Sequence, residues 1–495
     1  MIFADFRLFN IRGGVHPASR KEATTSLLIK TLPMPERLYI PLQQHIGAPA
    51  EPVVRRGDRV LKGQLLAQNQ GLISAPVHAP TSGTILKIAK HPAPHPSGLP
   101  VRTIILEADG KDEWLPLPEP VDPFSLSSAE IADKVAAAGI VGMGGATFPS
   151  AVKLGLGERY DLHTLVINGS ECEPYLTCDD RLMQEQAESI VEGIRIMMHA
   201  LKTERAQIAI ESNKPEALNQ MRRFTARWPG IAVIPVPTQY PMGSEKHLVQ
   251  TLTGKETPAG KLSADIGVVV HNVATAHAVY HAVRYHKPLI SRVVTVSGDA
   301  VNKPANLLVP IGTPVSVLFE ACAGTTEEPA RLLSGGPMMG QPLPDISVPI
   351  VKGTGAVLAL SREEVNSQPA MPCIRCASCV EACPCGLLPL EMAARARKGD
   401  LDGASRIGLM DCISCGSCSY VCPSHIPLVQ YFNHAKGAAR QQQIDKRKQE
   451  EIKLLTAARS ERLERQKQAK REAMARRKAE AEAKKQAKQK SKAEA

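Results

Sequence analysis

The stretch Cys373-Ile374-Arg375-Cys376-Ala377-Ser378-Cys379-Val380-Glu381-Ala382-Cys383-Pro384 recurs in kind as Cys412-Ile413-Ser414-Cys415-Gly416-Ser417-Cys418-Ser419-Tyr420-Val421-Cys422-Pro423. Each is a C-x2-C-x2-C-x3-C-P run. Three thiolates at every third residue wrap one corner of a small cube, and the fourth, followed by proline, points away towards a second cube. The spacing predicts two [4Fe–4S] clusters with exchanged fourth ligands. Cys373, Cys376, Cys379 and Cys422 would hold one; Cys412, Cys415, Cys418 and Cys383 would hold the other. Zinc, the competing metal, is usually bound by two separated C-x2-C pairs. Cys385 lies two residues beyond Cys383, but the proline follows Cys383, which favours Cys383 as the ligand. A chain built around such a pair transfers electrons singly.

Of the 12 cysteines, eight sit in these runs. Cys172, Cys178 and Cys322 read as small buried residues. Clusters of this type belong to reducing compartments, and no disulfide framework is required. The opening Met1-Ile2-Phe3-Ala4-Asp5 is not a charged-then-apolar leader. No run of about 18 apolar residues exists, so any membrane association is expected to be peripheral. The net charge of +11 is concentrated from Arg440 onward, where 19 Lys and Arg face 9 Asp and Glu; the rest of the chain is close to neutral. That distribution argues against a folded basic groove for nucleic acid.

The 495 residues divide into several segments, giving a multidomain α+β chain. After an N-terminal segment (1–35), residues 36–115 alternate short strands with Gly and Pro turns. They resemble the barrel-sandwich hybrid of biotinyl and lipoyl domains, although the turn that would carry a modifiable lysine reads Gln68-Asn69-Gln70-Gly71. His91 and His95 have metal-like spacing, but Pro92, Pro94 and Pro96 forbid the helix that would align them. Residues 116–290 alternate helices with apolar strands at 165–167, 207–210, 232–234 and 267–270, the pattern of a doubly wound α/β domain. Residues 291–345 resemble a soluble-ligand-binding β-grasp domain, followed by a linker (346–365). The two-cluster domain (366–435) reads as helical and ferredoxin-like, and a basic Ala/Lys-rich helical tail (436–495) ends the chain. Apolar residues in the tail are too few for a heptad seam.

A second constellation lies in the α/β segment. Gly139-x2-Gly142-Met143-Gly144-Gly145-Ala146-Thr147-Phe148-Pro149 is a glycine-rich turn entering a helix that carries Lys153. Adjacent glycines let backbone N–H groups close on an anionic or planar ligand. The spacing is not that of the dinucleotide fingerprint. Further on come Asn168-Gly169-Ser170-Glu171-Cys172-Glu173-Pro174-Tyr175, then Tyr240-Pro241-Met242-Gly243-Ser244-Glu245, then Asn272-Val273-Ala274-Thr275.

This ordered set resembles the flavin- and NADH-binding subunit of respiratory complex I. The resemblance implies non-covalent FMN held at Gly142, Gly144, Gly145, Lys153, Asn168, Ser170, Glu171, Gly243, Glu245, Asn272 and Thr275. It implies that Phe148 and Glu173 face the nicotinamide nucleotide, with Lys153, Glu171 and Glu173 as the catalytic side chains. Met143 stands where arginine is common, and Leu154 and Leu156 stand where aromatics are common. Three further stretches are Gly13-Gly14-Val15-His16-Pro17, Cys178-Asp179-Asp180-Arg181-Leu182-Met183 and Ser334-Gly335-Gly336-Pro337-Met338-Met339-Gly340. With them, the whole order resembles the C-subunit family of Rnf (Rsx) ion-translocating electron-transport complexes.

That resemblance implies a peripheral protein on the cytoplasmic face of a bacterial inner membrane. It would oxidise NAD(H) through FMN and pass electrons through two [4Fe–4S] clusters. The receivers would be the integral-membrane and Fe–S subunits of the same complex, or ferredoxin or an equivalent acceptor. Flavin suits that position because it accepts hydride yet releases electrons one at a time. The alternative is a flavin-free Fe–S electron-transfer adaptor whose α/β domain has kept its fold without its nucleotides.

Overall fold

The computed structural model describes residues 7–71, 73–94, 99–365 and 367–493, with side chains to 488. The opening pentapeptide and His95 lie outside the described residues. Contacts divide the chain into two compact units. One comprises residues 1–390 with 411–429, and the other 391–410 with 430–495.

In the first unit the barrel-like module has a four-stranded sheet ordered Arg37–Pro41, Val101–Ala108, Gly83–His91, Arg59–Val60. A three-stranded sheet, Glu51–Pro52, Leu65–Gln68, Val77–His78, completes it. Inward residues Leu38, Ile40, Leu66, Val77, Ile85, Ile104 and Leu106 form its core. Asn69, Gln70 and Gly71 are exposed just beyond the Leu65–Gln68 strand.

The α/β domain carries four parallel strands ordered Ile231–Val236, Ala206–Glu211, Thr164–Gly169, Val268–Asn272. Strand periodicity of two explains why both faces are covered. Leu165, Ile167, Ile208, Ile210 and Val269 join one core with helices Ser128–Ala137, Ala187–Leu201 and Val273–Tyr285. Val166, Ala209, Val268 and Val270 join another with Leu248, Val249 and Leu252 of helix Glu245–Thr253. The chain's first and fourth strands of this sheet are neighbours, which places a switch in strand order between Thr164–Gly169 and Val268–Asn272. Ligands of such sheets bind beyond the carboxyl ends of the strands at that switch.

The next domain is a mixed six-stranded sheet ordered Lys30–Thr31, Ala305–Pro310, Ser291–Ser297, Ala356–Leu360, Arg331–Ser334, Gln341–Pro342. Helix Val315–Ala321 packs Val315, Leu318 and Phe319 into its core. Two strands correct the sequence reading. Ala356–Leu360, from the expected linker, is a central strand buried along its whole length. A strand covered on both faces reads as a continuous apolar run, so it shows no alternation to find. Lys30–Thr31, from the expected N-terminal segment, pairs with Ala305–Pro310.

The cysteine runs themselves lie in the first unit, whereas residues 391–410 between them belong to the second. Met392, Ala404, Phe432 and Ala435 of the second unit are buried. From residue 430 on, that unit is made of the helix Leu428–Ala493, which is exposed throughout from Gln441 to Lys488. No helix among the described residues is long and apolar enough to cross a membrane.

Three buried histidines make the fold acid-sensitive. Burial pushes His78, His271 and His277 down to about 3, reinforced by Lys352, Lys153 and His281 respectively. An unfolded histidine titrates near 6.5, so below that pH the unfolded chain binds protons that the folded chain refuses. Stability is therefore expected to fall as pH drops from about 6.5 towards 3, by about 1.4 kcal/mol per pH unit for each histidine. Urea midpoints followed by tryptophan fluorescence should be lower at pH 5 than at pH 7. Equal midpoints would mean that these side chains become charged without loss of the fold.

Candidate functional site

The two cysteine loops repeat one backbone shape. Arg375 and Ala377 have φ of 57° and 65°, and the equivalent Ser414 and Gly416 have 57° and 81°. Left-handed turns at these positions curl the chain round its own thiols, at a cost of order 1 kcal/mol for each non-glycine residue. They also aim donors at sulfur. Arg375 N–H lies 3.4 Å from Cys373 Sγ and Ser414 N–H lies 3.4 Å from Cys412 Sγ. Short helices Ser378–Glu381 and Ser417–Tyr420 follow, with each serine hydroxyl 3.4 Å from Sγ of Cys376 or Cys415.

The neighbours of the third cysteine in each loop include the fourth cysteine of the other. Cys379 is raised by burial and also by its neighbours Cys422 and Cys373. Cys418 is pushed by burial to about 12, with Cys415, Cys412 and Cys383 adding to the rise. Cys385 also lies near Cys383, Cys415 and Cys412. Among the described residues, no three of the eight Sγ atoms lie within 4.8 Å of one another. Tetrahedral zinc, with Zn–S of about 2.3 Å, draws sulfurs closer than that. The residues present fit cubes. Cys373 and Cys376 are exposed, whereas Cys383, Cys415 and Cys418 are buried.

The glycine loop and three strand or helix ends meet at the switch in strand order. Gly142 N–H donates to Phe148 O at 2.8 Å, closing the loop, and Met143 N–H donates to Thr275 Oγ1 at 3.0 Å. Gly144, Gly145 and Ala146 form an exposed tip. A Cβ on Gly144 would stand 3.4 Å from that of Asn272, and Gly145, at φ 107°, faces open space. Lys153 Nζ donates to Val270 O and Glu245 Oε2, each at 3.0 Å. Asn168 Nδ2 donates to Gly243 O at 2.8 Å, and its Oδ1 accepts from Ser170 N–H. Asn272 caps helix Val273–Tyr285 through Ala274 N–H and donates to Asp179 Oδ2 at 2.6 Å. Gly142, Gly144, Gly145, Lys153, Asn168, Ser170, Gly243, Glu245, Asn272 and Thr275 are thus gathered round one rim. Ser170 Oγ is buried there without a partner among the described residues, an orphaned polar atom beside a glycine cradle. That combination fits a ligand with oxygen and nitrogen edges such as FMN.

Two carboxylates are already engaged. Glu171 accepts from Asp179 N–H (2.7 Å) and Asp180 N–H (3.2 Å), at the start of helix Cys178–Glu185. Glu173 accepts from Met338 N–H (3.0 Å) and Met339 N–H (2.9 Å), and burial pushes it up to about 7. Asp179 is also raised to about 7, by burial and then by Glu171. Phe148 is half-buried and supplies the carbonyl that closes the glycine loop. Met143 and Leu154 are core residues, and Leu156 packs against that core. Their substitution for polar or aromatic side chains therefore changes the interior beneath the loop.

Sequence reading missed the lysines that hold the strand end. Lys214 Nζ donates to Ser170 O at 2.9 Å and pairs with buried Glu211 at 3.1 Å. Lys21 Nζ donates to Glu171 O at 2.5 Å. Both bonds to the strand end are long-range in sequence, and neither residue type at those positions gave a signal. Asp179 lay inside a quoted motif, but only folding brings it to Asn272.

Residues 9–111 match the family described as the RnfC barrel sandwich hybrid domain, and 135–281 the Nuo51 FMN-binding domain. Residues 293–342 match the SLBB domain and 372–426 the 4Fe-4S dicluster domain. The C subunit of the ion-translocating oxidoreductase complex of Rhodobacter capsulatus is 58% identical over 446 residues, covering 90% of this chain and 86% of that relative. The Haemophilus influenzae protein of the same description is 43% identical over 466 residues, 94% of this chain and 57% of its own length. Among solved structures, a NAD+-reducing [NiFe]-hydrogenase in the H2-reduced state aligns over 64% of this chain and 62% of its own. Its TM-score of 0.45 at 18% identity is too low to carry a shared topology. This chain belongs to the RnfC family, the C subunits of ion-translocating oxidoreductase complexes, with an FMN-binding domain and a 4Fe-4S dicluster domain for electron transport.

Proposed function

We propose that this chain oxidises NADH, reversibly, and delivers the electrons singly to Fe–S and membrane subunits of its complex, or to ferredoxin or an equivalent acceptor. FMN, when bound, supplies the conversion from hydride to single electrons. The residues for that site are Gly142, Gly144, Gly145, Lys153, Asn168, Ser170, Glu171, Gly243, Glu245, Asn272 and Thr275, with Phe148 on the nicotinamide side; Glu173, the other residue expected there, is already held by Met338 and Met339 N–H. Lys153 offers a cation to an anionic ligand, and the cap at Asn272 aims the start of helix Val273–Tyr285 at the same rim.

One observation carries the reading: the Cys383 and Cys415 loops are seated against the flavin domain. Tyr240 OH donates to Cys415 O at 2.6 Å, and His247 Nε2 lies 3.1 Å from Pro384 O. Tyr240 and Gly243 belong to the same short turn, three residues apart, and Gly243 lines the flavin rim. The cluster of Cys383, Cys412, Cys415 and Cys418 is thus the inner relay. The cluster of Cys373, Cys376, Cys379 and Cys422 is the outer one, with Ile374 70% exposed beside it for a partner. Anaerobic addition of NADH to the purified protein should bleach flavin absorbance first and cluster absorbance second. A chain with eight irons and no flavin band would instead be the electron-transfer adaptor.

The protein would sit on the cytoplasmic face of the inner membrane, and its basic helix would add affinity for anionic lipid or an acidic partner protein. Each basic residue near such a surface contributes up to about 1 kcal/mol, screened within a Debye length. Deletion after Ala439 should leave flavin, iron and NADH oxidation intact while lowering the salt needed for release from membranes. Identical release profiles would remove that role from the helix.

A further inference from the structure

Between the flavin rim and the inner cysteine loop lies a segment that neither site uses: Ser334-Gly335-Gly336-Pro337-Met338-Met339-Gly340. It is the turn of a hairpin from the six-stranded sheet, closed by the register pairs Ser334–Gln341 and Leu333–Pro342. Its backbone is gripped from two sides. On the flavin side, the Glu173 carboxylate accepts from both Met338 and Met339 N–H. On the cluster side, a Cβ on Gly416 would stand 2.8 Å from Met338 O, so that loop approaches as closely as a glycine allows.

The glycines in the turn answer to the same packing. A Cβ on Gly336 would lie 2.2 Å from Glu173 Oε2, and one on Gly340 would lie 2.2 Å from Gly336 O. Met338 packs against the buried cluster of Val15, Tyr240, Ala382 and Cys415. Three domains therefore meet at one methionine. A buried carboxylate with two backbone donors is a costly arrangement to break, because its release leaves an unsatisfied charge or N–H pair.

We propose that the Ser334–Gly340 turn is a strut that sets the separation between the flavin site and the inner cluster, with Glu173 and Met338 as positioning residues for electron transfer. This rests on the flavin and cluster reading given above. The strut transfers no atom: each electron lost on the flavin side is gained on the cluster side. Tunnelling weakens steeply with distance, so a rigid spacer tied to both sites affects that step and leaves hydride delivery alone. It also gives Glu173 an occupation other than contact with a nucleotide.

The test uses the full chain with Gly336→Ala, which pushes into the carboxylate, and Met338→Ala, which empties the contact with Tyr240 and Cys415. Flavin and iron content are measured first, then backbone hydrogen exchange at Met338 and Met339, then the two bleaching phases after rapid mixing with NADH. Exchange at the two N–H groups should quicken in Gly336→Ala. The flavin phase should stay unchanged while the cluster phase slows severalfold, the direction that a longer separation gives. Met338→Leu, which refills the space, should restore the cluster phase. An unchanged cluster phase in variants with quickened exchange would overturn the proposal. So would a slowed flavin phase with exchange unaltered, which would make Glu173 a nucleotide contact. Absence of flavin, or of NADH bleaching, in the unaltered chain would instead sink the function proposed above. The exchange measurement would then still report whether Glu173 holds the turn.

Discussion

Cys422→Ser is expected to cost the chain the outer cluster, not the one bound by its own run. Iron should fall from about eight to about four per chain, because the fourth ligand is supplied by the opposite run. In keeping with this exchange, Cys422 and Cys373 are the neighbouring thiols that act on Cys379. Cys418 in turn has Cys415, Cys412, Cys383 and, last, Cys379 near it. The decisive comparison is the double variant Cys373→Ser, Cys422→Ser. If both cysteines serve one cluster, the double variant should hold as much iron as either single one. Complete loss of iron in the double variant would assign Cys422 to the inner cluster and refute the exchange.

The second large effect is expected at the glycine tip. Gly144→Val should release flavin while leaving iron untouched, since residue 144 is exposed beside Asn272 and distant in role from the cysteine loops. A branched side chain there meets the Asn272 side chain and fills the cradle. Overpacking of about 1–3 kcal/mol corresponds to roughly five- to 150-fold weaker binding. Flavin released by acid precipitation, set against iron measured on the same sample, gives the ratio directly. Full flavin occupancy in Gly144→Val would move the binding site away from this loop. Parallel loss of iron would show that the substitution disturbs the fold as a whole.

Some of this protein was legible from residue order alone. The paired C-x2-C-x2-C-x3-C-P runs name their metal because thiolate spacing is a local property, and a cube's size selects it. The parallel sheet was legible from apolar strands alternating with helices, whereas the rim residues were expected only through a resemblance carried by short motifs at strand ends. Ala356–Leu360 escaped because a strand buried on both faces has no polar alternation. The left-handed turns at Arg375, Ala377 and Ser414 escaped because none of these residues is glycine.

What only the tertiary structure decided is which groups are already spent and which sites are neighbours. Residue order marked Glu171 and Glu173 alike as pocket carboxylates. Folding brings the backbone N–H groups of Asp179 and Asp180 to the first, and those of Met338 and Met339, 165 and 166 positions away, to the second. It likewise brings Tyr240 to Cys415 and His247 to Pro384. Local motifs fix chemistry because their atoms are tied by a few bonds. Distance between sites depends on packing between domains, and no short stretch of sequence encodes that.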